Sequence, residues 1–93
     1  MRSGHIEIEY CTRCGFLARA TWTAQELLDS FGTQLASVKL VPGAQGIFEV
    51  RLDGEVLASR RMDGVYPEPL ALKRLIRDRL SPKQSIGHER NGR

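Results

Sequence analysis

The chain has 93 residues, enough for one small domain, and 41% of them are hydrophobic while 27% are charged. This composition is typical of a soluble globular protein and excludes a disordered chain, a collagen-like repeat and a coiled coil. The formal net charge is +3, but the residues from Ser81 onward carry Lys83, Arg90 and Arg93 against Glu89. The rest of the chain is close to neutral, which argues against nucleic acid as a partner.

No segment of the sequence predicts a role at a membrane. The residues before the first predicted strand lack the apolar core of a secretory signal. No apolar run approaches the roughly 18 residues that a transmembrane helix needs. The sequence therefore predicts a cytoplasmic protein.

The first half of the chain predicts a strand followed by a helix. Residues 5–10 alternate between apolar side chains and the two carboxylates of Glu7 and Glu9, which is the pattern of a half-buried strand. Helical spacing then begins at Leu17, and Gly32 is a candidate C-cap. The apolar stripe of this helix consists of Leu17, Ala20, Ala24, Leu27, Leu28 and Phe31.

The second half predicts three strands and a second helix. Asp53-Gly54 is typical of a two-residue hairpin turn, because both residues must adopt positive φ. A proline in the first turn favours a helix that opens at 67–69. In chain order the elements are strands at 37–41 (ended by Pro42-Gly43), 47–52 and 55–59, and a helix that ends at Ser81-Pro82.

These elements predict an α/β fold, a two-layer sandwich with the order β-α-β-β-β-α. Strands joined by a helix are parallel, and the hairpin strands are antiparallel, which gives a mixed four-stranded sheet in the order 2-1-3-4. Both helices should cover one face of the sheet, because Glu7, Glu9, Glu49 and Arg51 occupy the other and are expected to be exposed. The predicted domain is 1–80, and 81–93 is predicted to be a polar, flexible tail.

Two cysteines, Cys11 and Cys14, lie between the first strand and the first helix with C-x-x-C spacing. Zinc usually takes four ligands, and the chain offers no second pair, so a metal site would have to be shared across a dimer. A structural disulfide closing so short a loop would contribute only about 2 kcal/mol. A redox role is favoured, because the start of a helix stabilises a thiolate.

The segments around these cysteines resemble the selenoprotein W branch of the Rdx family. The resemblance rests on Tyr10-Cys11-Thr12-Arg13-Cys14-Gly15, on Gly46-Ile47-Phe48-Glu49-Val50 and on Asp63-Gly64-Val65-Tyr66-Pro67, and it extends from residue 5 to about residue 80. It implies a thioredoxin-like fold and thiol redox activity. Selenoprotein members carry selenocysteine at the position of Cys14, so this chain is a cysteine-only form.

The attacking thiol is left open between the two cysteines. Local geometry favours Cys11, because a residue in the turn before the helix should be more exposed than one in its first turn. The selenium position of the family favours Cys14 instead. The chain also departs from thioredoxin, which has a proline immediately before its third core strand, whereas here Gly46 precedes Ile47.

Four further residues are candidates for supporting the site or binding substrate. Thr12 and Arg13 lie between the cysteines, and Trp22 falls off the apolar stripe of the first helix. Phe48 is on the core-facing side of its strand, which favours a packing role, while the family resemblance places that strand beside the motif. The basic residues Lys73, Arg74 and Arg77 predict a solvated face of the second helix.

The sequence therefore predicts a thiol–disulfide oxidoreductase with Cys11 and Cys14 as catalytic residues. The alternative is a redox-sensing protein-interaction module without catalytic turnover. The expected partner is a redox protein or glutathione, the latter as a thiol co-substrate. No metal or other cofactor is expected, and the chain is expected to be a monomer or a weak homo-oligomer.

Overall fold

Four strands form the sheet of the computed structural model, which describes residues 4–80 of the chain. They are β1 (His5–Cys11), β2 (Ser37–Gly43), β3 (Phe48–Leu52) and β4 (Glu55–Ser59). The sheet order is β2-β1-β3-β4, with β1 parallel to β2 and antiparallel to β3, and with β3 antiparallel to β4. The predicted mixed sheet is therefore confirmed. The predicted tail at 81–93 lies outside the described residues.

The turn chemistry of the strands follows the sequence, with one correction. Asp53 and Gly54 have φ angles of 50° and 87°, so both positions of the predicted hairpin turn adopt positive φ. β2, however, does not stop at Val41 but continues through Pro42 to Gly43. β2 is an edge strand, and an edge strand accommodates a proline that lacks the N–H group of a ladder hydrogen bond.

Two long helices and one short helix accompany the sheet. They are α1 (Leu17–Phe31), α2 (Arg60–Asp63) and α3 (Pro69–Leu80), and a single 3-10 turn (Gly32–Gln34) follows α1. The predicted C-cap is confirmed, because Gly32 has a φ of 50° and its N–H donates to the Leu28 carbonyl. The short elements were not predicted, since they are too short for a periodic apolar stripe. No helix within residues 4–80 is long and apolar enough to cross a membrane.

The core lies between one face of the sheet and the two long helices, as predicted. Its fully buried aliphatic residues each contribute on the order of 2 kcal/mol of burial free energy. They include Ile6, Ile8 and Val50 from the sheet, Leu27 from α1, and Leu72 and Ile76 from α3. Leu17 and Leu28 do not belong to this core, because their side chains are 51% and 47% exposed. The 1% exposed Thr23 takes a core position instead, and its hydroxyl donates to the Arg19 carbonyl at 2.8 Å.

The face of the sheet away from the core carries a cluster of charged side chains centred on Arg51. Its guanidinium contacts carboxylate oxygens of Glu49 at 2.7 Å and of Glu7 and Glu9 at 3.2 Å each. Lys39 adds a contact of 3.0 Å to Glu7. The prediction of substantial exposure is wrong in degree, because the four predicted side chains are only 19–33% exposed. They cover one another, and the two-layer architecture stands.

The predicted solvated face of the last helix also needs correction at Lys73. This residue is 2% exposed, and its ammonium lies 2.9 Å from a carboxylate oxygen of Glu26. The pair joins α3 to α1. Arg77 is also largely covered, with a side chain that is 21% exposed, and of the three residues Arg74 alone is exposed. A sequence pattern cannot distinguish Lys73 from an exposed neighbour, because the carboxylate that it contacts lies on another helix.

Candidate functional site

The two cysteines differ in burial. Cys11 is the last residue of β1, where it pairs with Gly43 of β2 and donates its N–H to the Ile47 carbonyl at 2.8 Å. Because the backbone of Gly43 lies on one side of Cys11 and that of Ile47 on the other, Cys11 is only 2% exposed. Cys14 lies in the turn that follows β1 and is exposed. Both are free thiols.

A hydrogen bond between the side chains couples the two thiols. It lowers the pKa of Cys11 below its ordinary value, against the opposing effect of burial, with further stabilisation from backbone hydrogen bonds of Gly46, Arg13 and Cys14. The same hydrogen bond raises the pKa of Cys14, and burial and the charge of Cys11 act in the same direction. The negative charge of the pair therefore lies mainly on the covered sulfur.

The loop of residues 44–47, between β2 and β3, covers the cysteines from one side. Gln45 and Gly46 have φ angles of 59° and 75°, in the left-handed region that favours glycine. The backbone of Gly46 hydrogen-bonds with both sulfurs and lowers the pKa of each thiol. Thr12 connects the turn to the end of β2, because its N–H donates to the Gly43 carbonyl at 3.2 Å. The loop thus supplies polar backbone groups to the thiol pair.

Two consecutive arginines of α2 hold this loop. Arg60 donates through Nη1 to the Gly46 carbonyl at 3.5 Å, and Arg61 donates through Nη2 to the Gln45 carbonyl at 3.1 Å. The positive charge of Arg60 also opposes the rise in the pKa of Cys14. The side of the site opposite β1 is therefore cationic.

An aromatic cluster packs beside the turn and beneath Arg60. The rings of Phe16, Phe48 and Tyr66 meet edge to face, with centroids 5.1–6.1 Å apart. Phe16 is the residue immediately before α1, and Phe48 opens β3. The cluster joins the start of α1 to β3 and to the segment before α3.

A shallow apolar pocket of about 250 Å³ lies away from the cysteines, between β4 and α3. Its lining includes Leu57, Val65, Tyr66, Pro67 and Leu75. Neither cysteine lines this pocket, so it is not part of the thiol pair. Within residues 4–80, no group of three or more His, Cys, Asp or Glu side chains is arranged so that it could hold a metal ion.

The comparisons with known proteins agree with this geometry. The model of the Rdx family matches residues 5–78. The chain belongs to the Rdx family. The resemblance inferred from the residues around the cysteines is thereby confirmed.

Solved structures of bacterial proteins share the Rdx fold of this chain. A selenoprotein W-related protein from Vibrio cholerae is 35% identical with a TM-score of 0.82, and the match covers 85% of this chain and 99% of that one. A protein from Bordetella parapertussis is 47% identical with the same TM-score, and the match covers 85% of this chain and all of the other. The predicted fold class is thus supported by experimental neighbours.

A mouse protein named migration and invasion enhancer 1 is also similar. It is 31% identical over 75 residues, which is 78% of this chain. The aligned region covers 62% of the length of the mouse protein. The similarity concerns this shared Rdx region.

The structure corrects the expected exposure of the two thiols. Cys14 does not lie in the first turn of a helix, because α1 begins at Leu17 after the N-cap residue Phe16. Cys11, expected to be the more exposed residue, is the buried one, since the ends of β2 and β3 flank it. Cys11 was favoured as the attacking thiol because it was expected to be the more exposed of the two, so the geometric reason for that choice is wrong.

The other candidate residues of this Rdx chain fall in different places. Thr12 and Arg13 are exposed in the turn between the cysteines, and Trp22 is 45% exposed on α1. Phe48 is fully buried in the aromatic cluster. In the sequence, Gly46 belongs to one motif of the resemblance and marks the departure from thioredoxin, but neither feature predicts its role beside the thiols, and no motif points to Arg60. A short Ser-Arg-Arg-Met-Asp-Gly segment with capping residues at both ends was the one available signal for α2, which carries Arg60.

Proposed function

We propose that this protein is a thiol–disulfide oxidoreductase in which Cys14 meets the substrate and Cys11 resolves the intermediate. The observation that carries the proposal is a pair of free thiols with C-x-x-C spacing, of which Cys14 is exposed and Cys11 is covered. The thioredoxin-like arrangement implied by family membership supports it. Two free thiols of this kind fit a reducing compartment, and we place the activity in the cytoplasm.

The first step uses the accessible sulfur. The pair first loses one proton to solvent, mainly from Cys11, whose pKa is the lowered one. The Cys14 proton then moves across the hydrogen bond to the Cys11 thiolate, which leaves a thiolate on Cys14. This thiolate attacks a substrate disulfide, so that a Cys14–substrate disulfide forms, the substrate S–S bond breaks and one substrate thiolate leaves. The exposure of Cys14 supports its assignment to this step, because attack requires an approach in line with the disulfide.

The second step uses the covered sulfur. Cys11 loses its proton to the departing thiolate or to water and attacks the Cys14 sulfur of the mixed disulfide. The Cys11–Cys14 disulfide forms while the second substrate thiolate leaves. Two electrons have then passed from the cysteine pair to the substrate, and a reducing thiol must return them before the next turnover.

The partner that supplies or receives these electrons is proposed to be glutathione or a redox protein with a dithiol. The cationic surroundings of Cys14, with Arg13 exposed beside it and Arg60 near it, favour a thiol that carries carboxylates. Glutathione has two such groups. No metal takes part in this scheme.

A turnover assay with trapping tests the proposal. The reduced protein is mixed with a peptide disulfide and an excess of reducing dithiol, and the loss of the disulfide is followed over time. The wild-type chain should accelerate reduction over the uncatalysed rate, whereas Cys14→Ser should not. Cys11→Ser should accumulate a mixed disulfide at Cys14 that mass spectrometry detects. Asp29→Asn, at an exposed position near the end of α1, is the control outside the cysteine pair and should retain the rate.

Two results would contradict the proposal. One is a wild-type chain that forms the Cys11–Cys14 disulfide under mild oxidant but does not accelerate reduction, which would favour a redox-sensing interaction module. The other is a pair that stays reduced under that oxidant, which would exclude both redox roles. Thiol counting before and after oxidation separates these two results.

A further inference from the structure

Arg60 lies where three parts of the site meet. Its Nη1 donates to the Gly46 carbonyl at 3.5 Å. Its guanidinium carbon lies 5.6 Å from the centre of the Phe16 ring and 5.1 Å from that of Tyr66. These distances place the cation over two aromatic faces, an arrangement that contributes about 0.5–1 kcal/mol at a partly exposed site. The side chain is therefore held in a defined orientation toward the loop.

The short helix α2 fixes the direction of this side chain. Ser59 caps the helix by accepting a hydrogen bond from the Met62 N–H, and the Asp63 carboxylate accepts one from the Ser59 N–H at 3.1 Å. At the other end, Gly64 adopts a φ of 80° and its N–H donates to the Arg60 carbonyl. Because hydrogen bonds close both ends of α2, the backbone of Arg60 is held in one conformation, and the side chain leaves it in a fixed direction.

The loop of residues 44–47 needs external support to keep its conformation. Gln45 has a φ of 59°, and a non-glycine residue in the left-handed region costs about 1 kcal/mol. Within the loop, the Ile47 N–H donates to the Ala44 carbonyl at 3.2 Å. The carbonyls of Gln45 and Gly46 instead accept from Arg61 and Arg60. The arginines therefore bind the carbonyls of the two loop residues with positive φ, of which Gln45 carries the cost for a residue other than glycine.

We infer that Arg60 is a positioning residue for the thiol pair: by binding the Gly46 carbonyl, it holds in place the loop whose next residue, Ile47, accepts the Cys11 N–H at 2.8 Å. The inference deepens the proposed function, and its meaning for turnover rests on that function. An arginine suits this role better than a lysine, because its planar group stacks on aromatic rings while donating in a fixed direction. Arg60 acts through Gly46 and does not itself react.

The test measures how fast Cys14 is alkylated as a function of pH in the full chain. The variants are Arg60→Gln and Arg60→Lys, and the control is Arg79→Gln. Arg79→Gln also removes a charge and an ion pair, because Arg79 binds Glu55 at 2.8 Å. It is a suitable control because Glu55 lies at the opposite end of β4 from Arg60. Near neutral pH, Arg60→Gln should slow the alkylation about threefold or more, the factor expected for one lost hydrogen bond. Its pH profile should move to higher pH.

The two remaining variants decide between position and charge. Arg60→Lys should recover only part of the lost rate, because it keeps the charge but not the stacked, directed donor. Arg79→Gln should leave both the rate and the pH profile unchanged. Should Arg60→Gln fail to fold, Arg60→Lys alone gives the same comparison with the wild-type chain.

Three results would overturn the inference. An unchanged profile in Arg60→Gln, with or without a lower unfolding temperature, would leave Arg60 a structural residue only. Full recovery by Arg60→Lys would assign the effect to charge alone. An equal change in Arg79→Gln would make it a nonspecific effect of net charge. Alkylation needs no disulfide substrate, so a chain without turnover that still shows the Arg60 dependence would refute the proposed function and not this inference.

Discussion

The side chain of Cys14 hydrogen-bonds to that of Cys11. Cys14 is exposed, whereas Cys11 is buried, with only 2% of its surface exposed. The thiol that a substrate can reach, Cys14, is therefore not the thiol that carries most of the negative charge, Cys11. Thiols coupled in this way lose their protons in two steps that belong to the pair and not to either residue. The first two predictions below test access and charge in turn.

Limiting iodoacetamide near neutral pH should label Cys14 of the reduced protein in preference to Cys11. Proton exchange across the hydrogen bond is much faster than alkylation, so Cys14 is a thiolate for part of the time and can react. No comparable process exposes the covered sulfur of Cys11. Peptide mapping by mass spectrometry measures the ratio of the two labels. In denaturant the preference should disappear, which is the control, and predominant labelling of Cys11 in the folded protein would show that charge outweighs access.

Replacing Cys14 by alanine should raise the pKa of Cys11 toward the ordinary thiol value. The Cys14 side chain is the main cause of the lowered pKa, and without it the burial of Cys11 is opposed only by the backbone hydrogen bonds. The ultraviolet absorbance of the thiolate, followed against pH, gives the titration. Cys14→Ser keeps a hydroxyl donor and should retain part of the effect, and a lower pKa in the alanine variant would contradict the assignment.

The Lys73–Glu26 pair should respond unequally to the loss of each partner. Glu26→Gln leaves the ammonium of a 3% exposed side chain without its carboxylate and should cost about 3 kcal/mol of unfolding free energy. Lys73→Met leaves a carboxylate that is 26% exposed and reaches water, so it should cost about 1 kcal/mol. Chemical denaturation measures both values. The double variant should be more stable than Glu26→Gln alone, and equal costs for the single variants would refute the asymmetry.

Acid should weaken the fold partly through Glu7. Its pKa lies below the ordinary value, chiefly because of the hydrogen bond from Lys39 and then that from Arg51. A group with a lowered folded-state pKa contributes its full stability above the unfolded value, about pH 4.3, and loses it as the pH falls through the folded value. Unfolding free energies measured below pH 5 should therefore fall less steeply in Glu7→Gln than in the wild-type chain. Asp29→Asn, at an exposed position of α1, is the control and should keep the wild-type slope.

The sequence alone determined the sheet order, the hairpin turn and the location of the cysteine pair at the end of β1. These features depend on neighbours in the chain: alternation defines β1 and β3, the Asp53-Gly54 pair defines the turn, and a helix between β1 and β2 makes them parallel. The same local reasoning correctly began the first helix at Leu17. It failed for α2, because a helix of four residues is too short to show a periodic pattern of apolar side chains.

Tertiary structure decided which thiol is covered and which residues support the pair. Cys11 is buried because Gly43 and Ile47, more than thirty residues away, come to lie on either side of it. Arg60 reaches the site because β4 ends beside the loop of residues 44–47. Burial, hydrogen bonding and thiol pKa depend on atoms brought together by folding, and residue spacing does not encode those contacts. For that reason the sequence identified the cysteine pair but assigned the greater exposure to the wrong cysteine.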